Sequence, residues 1–158
     1  MFRKMRRNKQ ELSEEVCKEV LNKSKRGVLA LLGDEEYTYA VPMNYYYCEE
    51  NNKIYFHGAR EGHKIDAISK HDKVSFCVYD EGFLKDGDWA LYIKSIIIFG
   101  RLHLSNDKEH DLASLKKLAE KYYPTPDSVE EIMNKEAHLA QVLELDIEHM
   151  SGKLVHEC

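Results

Sequence analysis

Residues 57–64 read His57-Gly58-Ala59-Arg60-Glu61-Gly62-His63-Lys64, and the next apolar positions are Ile65, Ala67 and Ile68. A strand end, two glycines and a His-Lys pair at a helix start are the makings of an anion site. Glycine lets backbone approach an oxyanion, the first helical amides carry partial positive charge, and Lys64 adds a full one. The same residues also suit an ordinary loop with a solvated lysine. The rest of the chain offers little competing chemistry. It has no G-x-S-x-G elbow and no Walker A lysine, and the spacing of His57 and His63 is not that of an H-E-x-x-H helix. His57, His63, His71 and Cys77 match no common zinc spacing. The acid pairs Glu14-Glu15 and Glu130-Glu131 read as solvated helix faces.

The frame that must position these residues is one domain's worth of chain, 158 residues. A formal charge of -5 and a pI near 5.9 argue against a general nucleic-acid binder, which would carry a basic excess. No window approaches the ~20 apolar residues of a spanning helix. The opening Met1-Phe2-Arg3-Lys4-Met5-Arg6-Arg7 lacks the apolar stretch of a secretory signal. Cys17, Cys48, Cys77 and Cys158 are scattered, as suits reduced thiols. The expectation is a soluble cytoplasmic protein, a single domain over 1–158 with a solvated basic arm at 1–10, and no membrane or nucleic-acid partner.

Ser13, followed by Glu14-Glu15 and then Val16, Val20 and Leu21, predicts a capped amphipathic helix ending near Lys25-Arg26-Gly27. The period then changes. Strands are expected over 28–32, over 37–47 with an interruption at Pro42, and over 53–57 beyond the polar turn at 49–52. Proline cannot donate to a ladder, so Pro42 marks an edge, a bulge or a ligand contact. The segment at 40–45 is expected to pair with 54–57 in an antiparallel meander.

A fourth strand follows at 74–79, a polar loop at 80–89, and a long fifth strand at 92–104. The middle of the fifth, Ile96-Ile97-Ile98-Phe99, is apolar on both faces, which predicts cover on both sides, the second from a partner subunit. Leu112, Leu115, Leu118 and Ala119 recur at helical spacing up to Tyr122-Tyr123-Pro124. A short helix capped by Asp127 or Ser128 runs through Ile132 and Met133, and a sixth strand spans 141–148. The element list describes a mainly β (α+β) antiparallel barrel with flanking helices.

In order and spacing, Val41-Pro42-Met43-Asn44-Tyr45, Ile54-Tyr55-Phe56-His57-Gly58-Ala59, Gly62-His63-Lys64 and Ser95-Ile96-Ile97-Ile98-Phe99-Gly100-Arg101 resemble one known group. These are the nitroimidazole-resistance (Nim-type) proteins of the pyridoxamine 5'-phosphate oxidase-like, FMN-binding split β-barrel superfamily. The resemblance runs from Met5 to Glu148. It implies a six-stranded antiparallel split β-barrel that dimerises, with FMN in clefts at the interface. Val41, Pro42, Met43, Asn44 and Tyr45 would run beside the flavin ring. Phe56, His57, Gly58, Ala59, His63 and Lys64 would hold the cofactor and its phosphate, while Lys94, Ser95 and Ile96 would come from the partner. The implied activity is FMN-dependent reduction of a small electron-poor molecule such as a nitroimidazole. The arginine-lysine phosphate pair of the vitamin oxidases stands here as His63-Lys64, and their C-terminal arginine motif has no clear counterpart in 149–158. A flavin-binding or redox-sensing module without turnover, pyridoxamine-phosphate oxidation, and a haem or deazaflavin binder on the same barrel are the other readings.

Overall fold

The computed structural model describes residues 1–157. Ser13 accepts a hydrogen bond from the Val16 amide at 3.4 Å and starts helix α1, Glu14–Lys23, which presents Cys17, Val20 and Leu21 to the core. Strand β1, Arg26–Leu32, is followed by β2, Thr38–Asn44, β3, Tyr46–Cys48, and β4, Lys53–Gly58. Helix α2, His63–Lys70, leads to β5, Lys73–Tyr79, and β6, Tyr92–Leu104. Helices α3, Lys108–Tyr122, and α4, Pro126–Glu136, precede β7, Gln141–His156. Thr125, not Asp127 or Ser128, caps α4; Ser128 answers it as the other half of a capping box.

All seven strands join one curled antiparallel sheet in the order β2-β1-β5-β6-β7-β4-β3. The expected count of six is therefore corrected to seven. The long second strand breaks at Tyr45, and its two pieces take different partners. β2 pairs with β1 throughout, whereas β3 pairs with β4. The expected pairing of 40–45 with 54–57 is not formed, and the sheet stays open along a seam between β2 and β4. Pro42 sits on the terminal strand opposite Val28, where its missing N–H is tolerated.

The break has a physical cause. Tyr45 is fully buried, and its phenol crosses the core to donate to the Leu21 carbonyl at 2.7 Å. With no ladder at that residue, its backbone is served by Tyr122. That hydroxyl accepts from the Tyr45 amide at 2.8 Å and shares its proton between the carbonyls of Lys25 at 2.6 Å and Tyr45 at 2.9 Å. Tyr122→Phe strips the partner from a buried amide and carbonyl, which costs about 1–3 kcal/mol. Urea unfolding should show that loss, and an unchanged midpoint would overturn this account of the break.

The inner face gathers Leu29, Leu31, Ile54, Phe56, Phe76, Val78, Ile96, Ile98 and Leu102 with α1 and α2. Within one chain, two-sided cover is found on other strands. On β6, Ile96 and Ile98 point inward, Ile97 is half-buried, and Phe99 is exposed apart from stacking on His149 and Phe2. The start of the basic arm is thus laid on the sheet. The strands covered on both faces are β4 and the first half of β7, where Tyr55 and Val142 lie under Leu115 of α3.

Beside them the Glu144 carboxylate meets Lys53 at 2.9 Å, His110 at 3.2 Å and His103 at 3.5 Å. Burial pushes the Glu144 pKa up, but the Lys53 ammonium, helped by His110, outweighs it and holds the carboxyl below the usual range. A depressed carboxyl adds stability above its unfolded pKa of about 4.3, lost as pH falls through the folded value. Wild type should therefore lose stability below about pH 4 more steeply than Glu144→Gln in urea titrations; parallel curves would refute the coupling.

Candidate functional site

Lys64 lies in the seam between β2 and β4. Its ammonium approaches the Met43 thioether at 3.3 Å and runs along Gly58, where a Cβ would come within 3.3 Å of Nζ. A side chain at Gly58 would press on the tip of this lysine. Gly62, at φ +117°, makes the turn into α2 in a conformation that favours glycine. Lys64 is half-buried, and among the described residues no carboxylate lies within ion-pair distance of it. Burial alone pulls its pKa down. A desolvated cation without a counter-charge, at a helix start, is poised for an anion.

His57 stands on the outer face of β4, beside Lys64. Burial and the Lys64 charge lower its pKa, with Glu136 of α4 pulling the other way, so it is a neutral imidazole at pH 7. His63 does not join Lys64. Its ring stacks on Tyr39 at 4.2 Å, with Nε2 3.7 Å from Asp34. Arg60 is also turned away, donating to the His138 carbonyl at 2.8 Å.

Of the other expected site residues, Val41, Met43 and Asn44 line up along the free edge of β2 with the exposed Pro42. Ala59 is exposed just past β4. Tyr45 and Phe56 have their side chains wholly in the core, edge-on to Phe76, and the Tyr45 amide and carbonyl are both taken by the Tyr122 hydroxyl. Ser95 and Ile96 do not come to the seam within one chain: they are on β6, separated from β2 by β1 and β5, and the Ile96 side chain is inside the core. His57, His63, His71 and Cys77 are not gathered into a metal-binding cluster among the described residues.

Beyond His57 a cavity of about 490 Å³ opens between the α3–α4 hairpin and the sheet, reached by Asn44, His57, Leu118 and Tyr122. Sequence reasoning missed this part of the site. Leu115, Leu118 and Ala119 signal a core-facing stripe, and nothing in their spacing says that α4 stands off far enough to leave space.

A family model for pyridoxamine 5'-phosphate oxidase matches residues 13–154. The chain belongs to that family. A search of curated proteins finds no match. Among solved structures, this family member is similar to a conserved hypothetical protein from Mycobacterium tuberculosis, with TM-score 0.79 and 16% identity over 95% of this chain and 90% of the other. It is also similar to a candidate 5-nitroimidazole antibiotic resistance protein from Bacteroides thetaiotaomicron, with TM-score 0.77 and 18% identity over 92% and 87%. An FAD-binding protein from Mesorhizobium loti aligns with TM-score 0.65 and 24% identity over 92% and 97%. At such identities the likeness is one of fold. No helix among this family member's described residues is long and apolar enough to cross a membrane.

Proposed function

We propose that this protein binds FMN in the seam between β2 and β4 and works as a homodimeric reductase of small electron-poor molecules, nitroimidazoles among them. The observation that carries the reading is Lys64, a half-buried ammonium with no carboxylate partner among the described residues, at the start of α2. It would hold the phosphate together with the first amides of that helix. The edge of β2, without a strand partner, would offer backbone groups to the polar rim of a flat ring, interrupted at Pro42, which has no N–H to give. Neutral His57 would supply a hydrogen bond at the same mouth without adding charge. Bound flavin would supply the electron-transfer chemistry, and the protein the binding, orientation and exclusion of water.

The half-exposed outer face of β6, with Ile97 and Phe99, supports a second copy packing there, which would bring Lys94, Ser95 and Ile96 toward a neighbouring seam. The resistance-protein and FAD-binding neighbours support the flavin and the nitro acceptor. The test is the visible spectrum of the purified protein after incubation with FMN, followed by turnover with reduced pyridine nucleotide and 2-methyl-5-nitroimidazole. Bound yellow flavin, nitro-compound loss and a dimer by sedimentation are expected. A protein that takes up no flavin overturns the reading; flavin uptake without turnover of any nitro acceptor leaves a binding module and overturns the reductase.

A further inference from the structure

We propose that the cavity between the α3–α4 hairpin and the outer face of β4 is a binding pocket for a flat, uncharged one- or two-ring aromatic molecule carrying a hydrogen-bond acceptor. The inference deepens the reading above, since it names the molecule that would meet a flavin held in the seam. Its volume, about 490 Å³, falls in the range of small-molecule sites.

Its chemistry is divided. Leu115, Leu118 and Ala119 of α3 face Ile132 and Met133 of α4, giving two aliphatic walls. Leu115, Leu118 and Ala119 are buried, so this wall is already formed without a ligand. The methionine can follow the outline of a ring and favours contact with its edge.

The polar groups gather at one end. Asn44 closes β2 and His57 stands on β4, and both line the cavity as well as belonging to the seam set. An amide and a neutral imidazole give donors and acceptors without net charge, which suits a nitro, carbonyl or quinone oxygen better than a carboxylate or phosphate. Tyr122 offers its ring as a third wall, because its hydroxyl is spent on the Tyr45 and Lys25 backbones. The charged side chains lining the cavity, Lys135 and Glu136, are of opposite sign and select for neither anion nor cation. Lys64 is not among the lining residues, so a phosphate anchored there would lie outside the cavity.

The test uses 2-methyl-1,4-naphthoquinone as probe, titrated by calorimetry into flavin-free protein and again into protein mixed with FMN. Wild type should bind the probe in both. Ala119→Phe, which fills the cavity from α3, and Met133→Trp, which fills it from α4, should each weaken probe binding at least tenfold and leave FMN affinity within twofold. Circular dichroism melts identify any variant that fails to fold, and the other then decides. Probe binding to wild type with no uptake of FMN supports the cavity while removing the flavin reading. Uptake of FMN with no probe binding, or probe binding unaltered in both variants, overturns the inference alone. A fall in FMN affinity matching the fall in probe affinity also overturns it, because the cavity then holds the flavin ring itself.

Discussion

Replacing Lys64 with alanine is expected to weaken FMN binding by roughly 10- to 150-fold while changing riboflavin affinity little. The magnitude follows from a charge-assisted hydrogen bond of about 1.5–3 kcal/mol and a tenfold change for each ~1.4 kcal/mol. Riboflavin lacks the phosphate, so the ratio of the two affinities isolates the anion contact from ring packing. The structure removes the obvious compensations. Arg60, the other long cation of the loop, is tied to the His138 carbonyl, and His63 is stacked on Tyr39 next to Asp34. The single substitution should therefore show the full effect, and Arg60→Ala should change the ratio little. Fluorescence-quenching titrations with both flavins decide the matter, and equal losses for FMN and riboflavin would show that the phosphate sits elsewhere.

Gly100→Ala should be the most damaging single methyl in the molecule. At that position β6 slips register against β7, and the strands approach so closely that an added Cβ would stand 2.1 Å from the Asp146 carbonyl oxygen and 2.9 Å from Leu145 Cδ1. Overpacking typically costs about 1–3 kcal/mol, occasionally more. Here the obstacle is backbone of a neighbouring strand and cannot turn aside, so a loss of at least ~3 kcal/mol is expected. For a chain of this size that is a melting temperature lower by about 6–12 °C, at ~2–4 °C for each kcal/mol. Gly87→Ala is the comparison. It has open space around it but a φ of +83°, so its cost is confined to backbone strain of roughly 1–2 kcal/mol. Melts of the two variants separate steric collision from conformational strain; a Gly100→Ala protein that melts with Gly87→Ala would show that β6 and β7 yield.

The strands at β1, β5 and β6 and the helix α1 were legible because period and capping act locally: Ser13 caps as expected, and Val74, Phe76 and Val78 share the buried face. The break at Tyr45 was not legible. Residues 37–47 carry no glycine, and what parts them is a hydroxyl from Tyr122 on a distant helix. The second half of β7 was missed for a similar reason. Ser151-Gly152 has the composition of a turn, yet glycine is needed there because Cys17 of α1 lies where a side chain would go, 2.3 Å from the would-be Cβ. Of the candidate site, the run Gly58, Gly62, Lys64 could be read because its chemistry is carried by neighbours in the chain. The orientations of His63 and Arg60 were set by Tyr39 and His138, which share no pattern with them.

Strand β7 pairs with β6 from Leu143 to His156, across the slip at Phe99/Gly100, and with β4 over its first six residues, from Gln141 to Asp146. Among the described residues it is thus the only strand that bridges the sheet section β2-β1-β5-β6 and the section β4-β3. Both sections are complete in the chain before residue 141, and each hairpin in them closes over a short distance, but β4 waits for partners that start only at Gln141, far downstream of its own end at Gly58. A ribosome that has released everything up to α4 therefore holds two sticky half-sheets, each with an edge awaiting a strand still to be made. Closure is a late, long-range step of the kind that slows folding and favours association between unfinished chains. A premature stop before residue 141 would accordingly leave the two half-sheets unjoined and yield an aggregating, protease-sensitive product, not a smaller working barrel.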